Sequence, residues 1–227
     1  HLITVPTGGL LIDLLIGSGC IKTIETSGVS LGEAGPAPRF TNAVKKGLVE
    51  IKDSTCPAVY AGLQASEKGN PFMPLRGLIG SDILKYRHDI KIIDNPFNAS
   101  EKIVCLPAIK PDFSIFHAPL ADRNGNVYVG MRQELKLLAH AAVNTLVTVE
   151  EISDIDLLSD PQLTPGTIPA FYITNLAISA GGSRPLNLPG YYETNSHIIR
   201  NYAKEARSDK GFSIWIADQL KTLQSVA

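Results

Sequence analysis

The chain has 227 residues, 44% of them hydrophobic and 19% charged, and a formal net charge of -1. These values fit a folded globular domain able to bury a core, and they exclude a disordered polymer and a strongly basic nucleic-acid binder. Lysines are scattered, so no overall field attracts nucleic acid or anionic lipid, and the longest apolar run, 9–17, is broken by Asp13 and too short to span a bilayer.

The three cysteines, Cys20, Cys56 and Cys105, show no CxxC spacing and lie among apolar neighbours. That pattern suits reduced thiols in the cytoplasm better than disulfides or a zinc site. The N-terminus carries no initiator methionine and no signal-type segment, and residues 2–5 already read as a strand. The expectation is a single domain over 1–227 that lacks an N-terminal βα segment.

In chain order, strand 2–5 leads through Gly8-Gly9 into a short helix over 10–16, and 21–26 is a second strand. A helix over 40–46 closes at Gly47, 48–51 is a strand, and the next helix opens near Thr55 with Pro57 in its first turn and Gly69 at its end. Strand 72–75 follows. This alternation, with continuous apolar strands, predicts an α/β fold with an open, mostly parallel twisted sheet and helices on both faces.

The middle of the chain breaks the rhythm. Strand 113–118 runs toward Asn124-Gly125 and 127–129 returns, which predicts an inserted β-hairpin. The apolar spacing of Leu135, Leu138, Ala139 and Ala142 predicts a helix over 133–143, and 145–149 reads as a buried strand ending at Glu150-Glu151. Residues 170–178 are strand-like, and helices are expected over 196–207 and 212–223. The Gly- and Pro-rich stretch 175–192 is the candidate mobile surface segment.

Standard nucleotide, α/β-hydrolase and zinc-protease motifs are absent. His117 and Asp122 have metal-ligand chemistry, but the preferred reading is that His117 faces out of a hairpin strand and Asp122 opens its turn. Glu150 and Glu151 are adjacent, so their side chains point to opposite faces of a strand. They suit a structural or interface role better than an acid/base pair. Three turns attract more interest: Ser30-Leu31-Gly32-Glu33-Ala34-Gly35, Asp53-Ser54-Thr55-Cys56-Pro57 and Leu78-Ile79-Gly80-Ser81-Asp82. Each is read as following a strand of the parallel sheet, at the edge where such sheets bind ligands, and ordinary βα turns remain the alternative.

The series Ile93-Asp94-Asn95-Pro96-Phe97, Glu101-Lys102, Pro111-Asp112, His117-Ala118, Ala121-Asp122, Gly125-Asn126 and Val149-Glu150-Glu151-Ile152 resembles the α subunits of family I CoA-transferases, that of glutaconate CoA-transferase above all. Leu15-Ile16-Gly17-Ser18-Gly19 and 69–72 match as well, and the resemblance covers 2–169. It implies that an acyl group passes between a carboxylate and a CoA thioester, in a complex with a partner β subunit. The nucleophile would be a glutamate on that partner, in a Glu-Asn-Gly motif that this chain lacks, passing through an enzyme-bound anhydride and then a CoA thioester. The coenzyme A thioester would be a substrate rather than a permanently bound cofactor, with no metal, nucleic acid or membrane involved.

The resemblance has two departures. The family's opening helix and Gly-rich strand end are missing, and Cys56 stands where many members carry a glutamine. A family Gly-Glu-Asn word corresponds either to Gly32-Glu33-Ala34 or, without gaps, to a position at Gly35. The expected site is therefore Cys56 as a contact to the acyl carbonyl or oxyanion, not as nucleophile, with Gly32, Glu33, Gly80 and Ser81 binding substrate. The alternatives are one half of a ring-cleaving CoA-ester hydrolase on the same fold, a partner chain with no catalytic role and, more distantly, a sugar-phosphate isomerase.

Overall fold

The computed structural model describes residues 1–224. The chain begins with β1 (Leu2–Ile3), α1 (Leu10–Gly17), β2 (Thr23–Thr26), α2 (Pro38–Lys45), β3 (Glu50–Asp53) and α3 (Cys56–Glu67). The middle holds β4 (Phe72–Leu75), β5 (Lys91–Asn95), β6 (Asn98–Pro107), β7 (Phe113–Asp122), β8 (Val127–Tyr128), α4 (Gln133–Ala141), β9 (Asn144–Ser153), β10 (Thr167–Ile168) and β11 (Asn175–Ile178). Helices α5 (Ser196–Glu205) and α6 (Asp209–Gln224) end the described chain. Two compact units result: His1–Cys56 with the stretch from Asn195 onward, and Pro57–Thr194.

The first unit is a parallel sheet in the order β1-β2-β3, with Leu2 beside Ile24 and Ile24 beside Ile51. Ile24 is fully buried, which contributes roughly 2 kcal/mol for a side chain of that size. Its core joins Leu10 and Ile16 of α1 to Tyr202 of α5 and to Phe212 and Trp215 of α6. Along α1 the buried residues are Leu10, Asp13 and Ile16, a helical spacing with a carboxylate at its centre. Asp13 survives there because it closes another helix. Its carboxylate accepts from the Arg39 and Phe40 amides in the first turn of α2, at 3.2 and 2.6 Å. Gly47 ends the α2 region with φ +63°, the left-handed C-terminal position expected of glycine.

The second unit holds two sheets. One is antiparallel in the order β4-β6-β5. The other runs β10-β8-β7-β9-β11; its β7, β9 and β11 are mutually parallel, β8 pairs antiparallel with β7, and β10 pairs antiparallel with β8. Helix α3 presents Ala58 and Ala61 to the core of the first of these sheets. Gly62 follows on α3; a Cβ there would lie 2.7 Å from the Ile109 side chain, which would have to shift to admit it.

The α/β class, the parallel pairing of strands 2–5, 21–26 and 48–51, and the hairpin around Asn124-Gly125 agree with expectation. Gly125 has φ +86° and the Asp122 amide donates to the Asn126 carbonyl, closing the turn. Three details differ. Strand 72–75 is an antiparallel edge strand, which suits Pro74, a residue with no N–H for a central ladder. The β5–β6 hairpin, turning at Asn95-Pro96-Phe97-Asn98, was not anticipated, although those residues are turn formers. Residues 170–178 divide into a single 3-10 turn, Ala170–Tyr172, and the shorter strand β11.

Candidate active site

The three strands of the first unit run parallel, so the loops that leave their C-terminal ends share one edge of that sheet. After β1 the chain passes Pro6 and Gly8-Gly9 into α1; after β2 it passes Ser27-Gly28; after β3 it reaches Cys56, the first residue of α3. Hydrogen bonds tie these loops together. The Thr4 and Thr26 hydroxyls are 2.6 Å apart, the Gly8 amide donates to the Gly28 carbonyl at 2.9 Å, and the Ser30 amide donates to the Gly8 carbonyl at 3.0 Å. The Ser27 hydroxyl donates to the Pro6 carbonyl at 2.8 Å, and its oxygen lies 3.1 Å from the Cys56 sulfur.

Two helix starts of this unit differ in a way that matters chemically. The N-terminus of α2 is closed by Asp13, whereas no side chain caps α1 at Gly9. The α1 start therefore offers backbone N–H groups and the positive end of a helix dipole at the same edge. Cys56 is half-buried rather than sealed, as is Ser27. The edge thus brings together hydroxyls, a thiol and backbone amides, a set suited to holding a carbonyl oxygen that gains negative charge.

The expected site residues separate on the structure. Gly32 and Glu33 follow β2 on the same sheet edge as Cys56; both are exposed, Gly32 has φ +62°, and its amide donates to Ser30 Oγ at 3.1 Å. Gly80 and Ser81 lie in the second unit. They follow β4, whose antiparallel pairing removes the argument that placed them at the end of a parallel strand. Their turn is nevertheless unusual: Leu78 and Gly80 have φ +73° and +80°, and Ser81 Oγ caps a short 3-10 helix by accepting from the Ile83 amide at 3.2 Å. Ser27 and Pro6 were missed. The signal was available, since Ser27 directly follows a strand, but the glycine-richer turn a few residues later carries the stronger local pattern.

In the second unit His117 does not face solvent. Its Nε2 lies 2.7 Å from Glu150 Oε1, its Nδ1 lies 2.9 Å from Thr148 Oγ1, and the His117 and Glu150 side chains are about nine-tenths buried. The Tyr192 hydroxyl donates to Glu150 Oε1 at 2.6 Å and the Gly181 amide to Oε2 at 2.7 Å, while Tyr191 donates to Glu151 at 2.7 Å. The Gly- and Pro-rich stretch is therefore strapped to the end of β9. Burial pushes the Glu150 carboxyl up, but the Tyr192 hydroxyl, the Gly181 amide and His117 outweigh it and hold the group below its ordinary value. Burial and Glu151 push the Tyr191 hydroxyl up to about 12.

Asp122 opens its turn as expected, accepting from the Asn124, Asn126 and Leu157 amides and from the Asn126 side chain at 2.8 to 3.1 Å. Among the described residues no group of three or more His, Cys, Asp or Glu side chains is arranged to hold a metal ion.

No family model matches the chain. It is 33% identical over 225 residues to the A-type subunit of the 3-oxoadipate CoA-transferase of Pseudomonas knackmussii, an alignment covering 97% of this chain and 78% of that protein. It is 29% identical over 229 residues to the A-type subunit of the glutaconate CoA-transferase of Acidaminococcus fermentans, covering 91% and 71%. The crystal structure of the glutaconate coenzyme A-transferase of that organism superposes with a TM-score of 0.86 at 26% identity, over 93% of this chain and 72% of that one. A cholesterol ring-cleaving hydrolase IpdA subunit from Rhodococcus jostii is 25% identical over 228 residues, covering 96% and 77%.

Proposed function

The chain belongs to the family I CoA-transferases, on the α or A-type side of that family, and on that premise we propose that it is the α half of a heteromeric enzyme moving CoA between a thioester and a small carboxylic acid. The observation that carries this reading is the 33% identity to the A-type subunit of a CoA-transferase along 97% of the chain. The catalytic glutamate belongs to the β subunit. Its carboxylate attacks the thioester carbonyl and releases the CoA thiolate, leaving an acyl-glutamyl anhydride. The thiolate then attacks the glutamyl carbonyl, giving a glutamyl-CoA thioester and the free acid; the acceptor acid reverses the sequence.

The α chain's part is to hold the acyl group. The open N-terminus of α1 and the polar edge around Ser27 and Cys56 face the carbonyl oxygen as it gains charge, and Cys56 contacts that carbonyl without forming a bond to it. Gly32 and Glu33, which leave from the same edge, line the substrate. Gly80 and Ser81 are kept as substrate contacts on the strength of their left-handed turn alone. CoA enters as a substrate, with no resident cofactor. The cysteines are unpaired with one another, and among the described residues no helix is long and apolar enough to cross a membrane; we place the protein in the cytoplasm.

A second reading is one half of a CoA-ester hydrolase, favoured by the likeness to the IpdA protein and by a thiol in place of the glutamine donor. Co-purification with a β subunit bearing a Glu-Asn-Gly motif, followed by assay of CoA exchange between several acids and their thioesters, decides between them. Exchange by the complex and none by the isolated chain is expected. Robust turnover by the isolated chain sinks the assignment of the nucleophile to the partner, and thioester hydrolysis without exchange moves the protein to the second reading.

A further inference from the structure

The Ser27 hydroxyl carries one proton, and the structure assigns it to the Pro6 carbonyl at 2.8 Å. The 3.1 Å contact between Ser27 Oγ and Cys56 Sγ must then take its hydrogen from the thiol. The three loops at the edge of β1-β2-β3 are thus linked by a directed chain, from Cys56 S–H to Ser27 O–H to Pro6 C=O. Resting on the reading that Cys56 meets the acyl group, we propose that Ser27 is a positioning residue for Cys56: it accepts the thiol's hydrogen bond in the resting site and turns its own hydroxyl onto the sulfur when negative charge builds there.

Two consequences follow from the single proton. While Ser27 holds the thiol hydrogen, a carbonyl oxygen arriving at the edge competes with Ser27 for it, so Ser27 sets how readily Cys56 donates. When negative charge builds on sulfur, rotation of the Ser27 hydroxyl from the Pro6 carbonyl to Sγ supplies a charge-assisted hydrogen bond. The exchange costs one neutral bond to a backbone carbonyl, a group at the exposed Pro6, where water replaces the lost donor. No covalent bond is made or broken in this step.

The test is the alkylation rate of each cysteine by iodoacetamide, read by mass spectrometry on the complex with its β subunit. The thiolate displaces iodide, so the rate reports charge held on sulfur, and exposed Cys20 serves as internal reference. Ser27→Ala is expected to slow Cys56 about 3- to 10-fold, the effect of one hydrogen bond, with Cys20 unchanged. Ser27→Thr, which keeps the hydroxyl, is expected to restore the rate. A merely bracing role predicts the opposite sign, because loosening the turn exposes Cys56 and speeds its reaction; an unchanged or faster rate overturns the proposal. If the fluorescence of Trp215, in the core of the same unit, shows that Ser27→Ala has lost its fold, Ser27→Gly, which also removes the hydroxyl, takes its place with the same slowing required. Protection of wild-type Cys56 by acetyl-CoA tests the underlying reading separately: absence of protection removes the acyl-site role, whereas the Ser27→Ala rate alone decides the hydrogen-bond assignment.

Discussion

Tyr202 donates its hydroxyl proton to Asp13 at 2.7 Å, joining α5 to α1 across 189 positions of sequence. Both residues are fully buried. The same carboxylate caps α2, so one side chain completes contacts among three helices of the first unit. Burial and the Asp13 carboxylate push the Tyr202 phenol up, which keeps it a neutral donor throughout the accessible pH range.

Asp13→Ala is therefore expected to be among the most damaging single changes in this unit. It removes a helix cap, leaves the half-buried Arg39 and Phe40 amides without their acceptor, and orphans the buried Tyr202 hydroxyl. The cost is on the order of 3 kcal/mol. Tyr202→Phe takes one donor from a buried carboxylate and should cost about 1.5 to 3 kcal/mol. Urea titration of the single and double variants gives the coupling. Additive effects would show that the two side chains do not act as a pair.

The strap at 179–194 should loosen in acid. The folded-state pKa of Glu150 lies below its ordinary value, so its contribution is present above the unfolded carboxylate pKa of about 4.3 and is lost as pH falls through the lower folded value. The Gly181 and Ser183 amides, which donate to Glu150 and to the Tyr192 hydroxyl, report the strap directly by hydrogen exchange. Glu150→Gln and Tyr192→Phe are each expected to raise exchange at these two amides at neutral pH, with the Val149 region of β9 still protected. Unaltered protection in both variants means that the strap is held by other contacts.

At the alkaline end, the contribution of Tyr191 is fully present below the unfolded tyrosine pKa of about 10 and is lost as pH rises through about 12. Spectrophotometric titration should show a tyrosinate step near that upper value. Tyr191→Phe should remove it, and its persistence would assign the step to another phenol.

Cys56→Ala in an active complex is expected to lower turnover about tenfold while moving the denaturation midpoint little, because the half-buried sulfur fills modest core volume. Unchanged kinetics would return Cys56 to a packing role.

Gly80→Ala places a side chain at φ +80° and should cost about 1 kcal/mol in stability. Gly32→Ala, at φ +62°, should cost a similar amount. A turn that lines the substrate also raises KM in its variant of the folded complex. A stability loss with wild-type KM strikes that residue from the site.

Local chemistry was readable from the amino-acid sequence. Asn124-Gly125 announced its hairpin because few residues accept left-handed backbone, and Gly125 has φ +86°. The helical spacing of Leu135, Leu138 and Ala139 announced α4, and Asp122 announced its turn, since each depends on neighbours a few residues away. The ordered words from Ile93 to Ile152 placed the family for the same reason: they are strings within one chain. The pairing of strand 72–75 with β6 was not readable, because an edge strand and a central strand of four residues carry nearly the same pattern, and Pro74 alone argued otherwise. Nor was the fate of His117, of Glu150 or of Ser27. A strand alternates its side chains but does not say what lies opposite, and those partners, 29 to 42 positions away, are chosen by strand register and loop closure. The sequence by itself determined the α/β class and the family; only the tertiary structure decided which polar side chains share a proton, because that depends on distances of about 3 Å between segments that the sequence holds far apart.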